Sequence, residues 1–261
     1  MIRTGIYIDG HNFFYGALKG TSLKWVDLEK LSRTLLPRDN IQLIRYFTAR
    51  IRLRPNDPQN ATRQDAYIRA LRTTPLVTVH EGRFLTSVKS KALADRFESH
   101  AQLFNPYFRP RQIYSLMWSD NVKRRTDDVT KARVIIDEEK GSDVNLGVHL
   151  INDVARGVVQ KALVISNDSD LTEAIRLSTL FGAKIGILNP HASRTSRYLR
   201  LAASFEMPFR REIIERCQFP TVVRDSVGRE IHKPRAWRQD PKNTGAHPCG
   251  RAPSPPPEAS G

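Results

Sequence analysis

Cysteine is scarce in this 261-residue chain, with only Cys217 and Cys249, far apart and without a histidine cluster beside either. That scarcity excludes a disulfide-stapled scaffold and a zinc module and fits a reducing compartment, so a cytoplasmic protein is expected. Long apolar runs are missing as well. No stretch approaches the roughly 18–20 apolar residues of a membrane-spanning helix, and the start, Met1 to Tyr7, leads into a strand pattern rather than a charged segment with an apolar leader. Neither secretion nor membrane contact is expected. Internal repeats are absent too. Acids are in deficit, 27 against 42 Lys and Arg, which leaves a formal charge of +15. A surplus of that sign concentrates polyanions around the protein, so nucleic acid is the expected partner class.

What is present is the material of a globular α/β domain, with 39% hydrophobic residues. Ile6, Tyr7 and Ile8 form a short apolar run stopped by Asp9-Gly10, which reads as a buried parallel strand ending in a turn. A helix is expected from His11 to Lys19, and another from Asp27 to Leu36 with Leu28, Leu31 and Leu35 on one face before Pro37. Strand Ile41 to Ala49, helix Gln59 to Thr73 and strand Leu76 to His80 complete a β-α-β-α-β order. After a looser stretch the order resumes with helix Ser142 to Ala155, strand Ala162 to Ser166, helix Leu171 to Phe181 and strand Lys184 to Leu188. A basic helix, Arg194 to Ala203, and a last one, Arg210 to Cys217, follow.

The looser stretch, about 83–128, mixes cations with rings, among them Phe104, Tyr107, Trp118, Lys123, Arg124 and Arg125. It reads as an insertion, suited either to single-stranded nucleic acid, where rings stack on bases and cations follow phosphates, or to a hairpin packing its own aromatics. The domain is expected to span 1–219. Residues 220–261 end in Pro253-Ser254-Pro255-Pro256-Pro257 and read as a disordered basic tail. Trp237 there could stack on a base.

Acids stand directly after apolar strands or at helix starts in three places: Asp9 with Asn12, Asp143 after Lys140-Gly141-Ser142, and Asp168 with Asp170 in Ser166-Asn167-Asp168-Ser169-Asp170. Open α/β sheets build their ligand crevices at such positions. If the strands are neighbours, the carboxylates converge, and converging like charges call for a cation. Oxygen ligands without Cys or clustered His point to Mg²⁺ or Mn²⁺. Each piece also has a plainer role: Asp9-Gly10 as a turn, Asp168 or Ser166 as a helix cap, Asp143 as a first-turn acid.

The segments Tyr7-Ile8-Asp9-Gly10-His11-Asn12, Glu139-Lys140-Gly141-Ser142-Asp143-Val144 and Val164-Ile165-Ser166-Asn167-Asp168-Ser169-Asp170 together resemble the successive signatures of the NYN-domain family. That family is a branch of the PIN-like nucleases that includes LabA-like bacterial proteins. The resemblance covers roughly residues 3 to 190. It implies a PIN-like three-layer α/β fold with a mainly parallel central sheet. It also implies a metal-dependent ribonuclease in which Asp9, Asp143, Asp168 and Asp170 surround Mg²⁺ or Mn²⁺, Asn12 holds the first loop and Ser166 orients the acidic turn. Metal ions of that kind would polarise the phosphate and activate water. Lys140 at its helix start and Arg194 and Arg197 on the basic helix either meet the RNA, with Lys123, Arg124 and Arg125, or face solvent, and the same charge would admit DNA. A homo-oligomer or a regulatory protein partner is compatible with this reading.

Two alternatives accompany it. One is a non-catalytic RNA-binding or regulatory module. The other is a phosphotransferase, because Asp168-Ser169-Asp170-Leu171-Thr172 matches the Asp-x-Asp-x-Thr signature of haloacid-dehalogenase-type enzymes, in which the first Asp is a nucleophile. That signature normally follows the first strand of its domain, and here it comes late.

Overall fold

A computed structural model describes residues 2–51, 57–92 and 131–238. Its centre is a sheet in the order β4-β3-β2-β1-β5-β6-β7. The strands are β1 (Arg3–Asp9), β2 (Asn40–Ala49), β3 (Val77–Ala92), β4 (Lys131–Lys140), β5 (Lys161–Ile165), β6 (Lys184–Leu188) and β7 (Phe205–Met207). Every pairing is parallel except β3 with β4, so the central sheet is mostly parallel.

The apolar runs form strands because the sheet is covered on both faces. Ile6 and Ile8 point into one core with Phe13, Leu28, Leu31 and Leu71. These come from α1 (Gly10–Phe13), which continues as a π-helical turn Phe14–Leu18, from α2 (Leu28–Leu35) and from α3 (Asn60–Leu71). Tyr7 points the other way, into a core with Phe47, Leu146, Leu150, Ile175 and Leu199. That face is covered by α4 (Ser142–Ala155), α5 (Thr172–Leu180) and α6 (Arg197–Ala202). A seventh helix, α7 (Arg211–Arg216), returns to the first face through buried Ile214. Side chains alternate along a strand, so Asp9 shares the Tyr7 face.

The order of strands places the site. From β1 the chain builds outward through β2 and β3, and the later strands β5, β6 and β7 lie on the other side of β1. The β1/β5 boundary is therefore a topological switch point, and the crevice beyond the carboxyl ends of these two strands is where such sheets bind ligands. Registers Ile8 with Ile165 and Ile165 with Leu188 bring Asp9, Ser166 and Asn189 to one edge. Gly10 is required there by close approach: a Cβ would lie 2.6 Å from the Phe47 carbonyl oxygen. The antiparallel β3–β4 pair, with Arg83 opposite Lys140, delivers Gly141 at φ 92° and the start of α4 to this same edge.

Three expectations are corrected. The helix expected over His11 to Lys19 is α-helical for one turn only and then widens to a π-turn. The insertion expected from about residue 83 begins later, because β3 runs on to Ala92 and pairs with β4; residues 93–130, with Lys123, Arg124 and Arg125, lie outside the described residues. The tail does not lose structure at 220. Strands β8 (Val222–Arg224) and β9 (Glu230–His232) form a hairpin, and Ile231 and Trp237 are buried. Trp237 packs tilted against Trp25 and edge-on to Tyr67, at ring distances of 6.2 and 6.4 Å, rather than facing solvent as a base platform. Burying such rings is favourable by several kcal/mol, which fixes this segment on the core. Among the described residues no helix is long and apolar enough to cross a membrane.

Candidate functional site

Asp9 is only 2% exposed and ends β1 as the N-cap of α1. Its Oδ1 accepts from the Asn12 backbone N–H at 2.9 Å, and its Oδ2 accepts from Asn12 Nδ2 at 2.7 Å and from Ser166 Oγ at 2.8 Å. Ser166, fully buried after β5, in turn accepts from the Asp168 N–H at 3.0 Å. Asp168 then caps the 3-10 turn Ser169–Leu171 by accepting from the Asp170 N–H at 3.0 Å. The starts of α1 and of the turn after β5 are thus each capped at one N–H by the chain's own carboxylate, whereas α4 begins at Gly141 without a side-chain cap.

The network reaches a third strand end. A carboxylate only accepts, so Asn12 turns its Nδ2 to Asp9 and its Oδ1 towards His191 Nε2, 3.0 Å away. His191 must then donate Nε2–H, and the neutral ring carries its lone pair on Nδ1. Burial holds His191 below the usual imidazole range; the Asp9 carboxylate opposes that and His11 adds to it. The loop after β6 is folded by Asn189, whose Oδ1 accepts from the His191 N–H at 2.9 Å and whose Nδ2 donates to the Ser193 carbonyl at 2.8 Å. Asn167 Oδ1 accepts from the Ser196 N–H at 2.8 Å and pins the following loop. A cleft of about 450 Å³ opens beside His191, between this loop and the segment from β7 into α7.

The structure thus joins Asp9, Asn12 and Ser166 directly, with Asp168 one bond further. Asp170 and Asp143 are exposed on their first turns, and no three His, Cys, Asp or Glu side chains among the described residues come together to hold a metal ion. Arg194 and Arg197 are exposed near the loop that Asn167 pins; the Arg194 carbonyl is 3.5 Å from Asn167 Nδ2. Lys140 ends β4 opposite Arg83. Sequence reasoning missed His191. The available signal was Asn189-Pro190-His191 immediately after a strand whose carboxyl end shares the crevice.

It also missed a polar cluster on the α4 face. Asp153, 2% exposed, accepts from Tyr7 Oη at 2.8 Å and from Arg45 Nε and Nη2 at 2.7 and 2.9 Å. Arg45 Nη1 lies 3.2 Å from His80 Nε2, and the His80 ring is 4.2 Å from His149 and stacked 4.8 Å from Phe47. Burial, then His149 and Arg45, push His80 down to about 4 against an opposing pull from Asp153, and burial with Arg45 lowers His149 as well.

Stability should consequently depend on acid. Unfolded His80 takes up its proton near pH 6.5, the folded ring only near 4. Between these values the unfolded chain binds more protons, so stability is intact above about 6.5 and falls as pH drops towards 4. The gap would be worth roughly 3 kcal/mol at about 1.4 per pH unit, and solvent screening of a partly exposed ring reduces that to about 1–2 kcal/mol. Urea unfolding across that window, compared with His80→Gln, measures it; an equal pH slope in the variant would dismiss the assignment.

No family model matches the chain. The chain is 29% identical to the 6-hydroxy-3-succinoylpyridine 3-monooxygenase HspA of Pseudomonas putida, over 92% of its own length and 77% of that protein's. It is also similar to a crystal structure of a protein of unknown function from Vibrio parahaemolyticus, at 14% identity and a TM-score of 0.43, covering 80% of this chain and 93% of that one.

The ribonuclease expectation is corrected by the first of these. A relative matched along nearly the whole chain is named as a monooxygenase, so the reading turns from hydrolysis by a nuclease, and equally from a phosphotransferase or a non-catalytic RNA module, to oxidoreduction. The expected Mg²⁺ or Mn²⁺ centre is corrected on the same ground and by the geometry. Both Asp9 oxygens are engaged by Asn12 and Ser166, and the acids do not gather into a metal-holding group among the described residues.

Proposed function

We propose that this chain is an oxidoreductase of the monooxygenase type acting on a small hydroxylated aromatic compound. The observation that carries the proposal is the similarity, along 92% of the chain, to a protein named for monooxygenation of a hydroxylated pyridine. The reaction class inserts one atom of O₂ into the substrate and reduces the other to water, with two electrons and one proton from a reduced nicotinamide as a hydride and the second proton from solvent. The crevice supplies a proton-handling group for it. Neutral His191, oriented through Asn12 by Asp9, can accept the proton of a ring hydroxyl, which leaves an electron-rich ring for attack by oxygen.

A flavin or nicotinamide dinucleotide is the usual route for the electrons in such reactions, and the crevice does not fit one in the common mode. That mode needs a glycine-rich turn after β1 and open N–H groups at the helix start for the pyrophosphate. Here the turn is Asp9-Gly10-His11-Asn12, the α1 start is occupied by the Asp9 carboxylate, and the turn after β5 is capped by Asp168. An anion there would meet carboxylates instead of free donors. The electron donor is therefore a diffusible co-substrate.

The same reading keeps the core as an NYN-type, PIN-like fold. The adjacency of β1 and β5 and the Asp9–Ser166 bond support that assignment. RNA stays in it as a partner that a +15 chain attracts, not as a substrate to be cut.

The test incubates the full chain with 6-hydroxy-3-succinoylpyridine and simpler hydroxypyridine carboxylates, a reduced nicotinamide and isotopically heavy O₂. One heavy oxygen atom in the product, and a rate that falls on acidification through a midpoint below the usual histidine range, is the expected result. Absence of oxygen incorporation across the panel, with free flavin added as a further arm, would overturn the proposal.

A further inference from the structure

The cleft beside His191 has its own chemistry. Its walls are the loop after β6, with His191, Ser193 and Thr195, and the segment Glu206 to Glu212 that leads from β7 into α7. Most of its polar groups are committed. Asn189 folds the loop, Glu206 accepts from Thr195 Oγ, and Arg211 pairs with Glu215 at 3.4 Å. Arg210 differs: it is the N-cap residue of α7 without a side-chain capping bond, and no hydrogen bond or ion pair engages its guanidinium among the described residues. Met207 and Phe209, both half-buried, supply apolar surface beside it.

We infer that this cleft is a binding site for a planar aromatic carboxylate. The ring lies against Met207 and Phe209, the carboxylate pairs with Arg210, and the opposite edge of the ring faces His191. A guanidinium matches a carboxylate with two parallel donors, and about 450 Å³ accommodates one substituted ring. Glu206 and Glu212 give the same cleft acceptors for a ring N–H or O–H, and they disfavour ligands carrying a second carboxylate on that side. His191 is common to the cleft and to the hydrogen-bond chain that ends on Asp9, so a ligand seated here touches the group that handles the proton. The inference rests on the oxidoreductase reading for its purpose but not for its test.

The test is binding of 6-hydroxynicotinate and of its neutral analogue 6-hydroxynicotinamide to the full chain by calorimetry, without electron donor. The acid should bind at least about tenfold more tightly than the amide, Arg210→Ala should remove that preference, and Arg211→Ala should keep it. Arg210 is exposed, so the variant should melt like the parent. No binding of the acid at millimolar concentration, equal binding of acid and amide, or an unchanged preference in Arg210→Ala would each overturn the site. The two proposals fail separately: carboxylate binding without oxygen incorporation leaves the cleft standing, and oxygen incorporation whose KM ignores Arg210→Ala removes the cleft alone.

Discussion

Asp153→Ala is expected to lower the free energy of unfolding by about 3–5 kcal/mol, the cost of stranding the partners of a buried charge. Asp153 takes three hydrogen bonds, one from Tyr7 and two from Arg45, and losing the carboxylate removes all three at once. The Arg45 side chain is 19% exposed, so water reaches it only in part, and the Tyr7 ring is fully buried. Burial and the adjacent Asp153 already hold the Tyr7 phenol above its usual range, so it stays neutral and donating. The attraction within the pair largely offsets the desolvation of two charges, so the double replacement Arg45→Met with Asp153→Leu should cost far less than the single one. Urea unfolding of the single and double variants separates these cases. A single-variant loss below about 1 kcal/mol would mean that water, not Asp153, satisfies Arg45.

That cluster illustrates what was and was not legible beforehand. The inner strands β1, β5 and β6 could be read because each is buried on both faces, so their sequences are short unbroken apolar runs. The outer part of β3 and β4 was not read: Thr86, Ser87, Lys89 and Ser90 interrupt one strand, and the short run Val134-Ile135-Ile136 on the other is bracketed by Lys131 and Arg133 and by Asp137, Glu138 and Glu139. In the hairpin after 220, the structure is anchored by isolated residues, Ile231 and Trp237, which a search for periodicity passes over. Tyr7, Arg45, His80, His149 and Asp153 come from four elements and meet only once strand register and the α4 docking are known. For the crevice, strand-end position announced Asp9, Asn12 and Ser166 but not His191, a single histidine in a loop. Acids at strand ends locate a site; they do not name its chemistry, because one sheet edge serves many reactions. The aspartates that suggested metal ligands prove to be, for Asp9 and Asp168, caps that hold the backbone of the crevice.

Asp9→Asn is expected to reduce O₂-dependent turnover by about 100-fold or more, within the range a misplaced acid–base group costs, while lowering stability by only about 1–3 kcal/mol. The change is nearly isosteric, and its effect lies in direction. Asp9 now accepts from three donors; an amide in its place accepts on one side and donates on the other. If the oxygen keeps capping the Asn12 N–H, the new NH₂ group faces Asn12 Nδ2 and Ser166 Oγ. Asn12 relieves that clash by turning its own amide over, which presents Nδ2 instead of Oδ1 to His191. The histidine must then accept at Nε2 and carry its proton on Nδ1, so the lone pair needed to take the substrate's proton is lost. Nitrogen chemical shifts of His191 read that change directly, with parent protein protonated on Nε2 and the variant on Nδ1. Asn12→Ala, which removes the intermediary, should leave the tautomer unfixed and give a mixture. An Nε2-protonated ring in Asp9→Asn with turnover intact would show that the Asp9–Asn12–His191 chain does not orient the base.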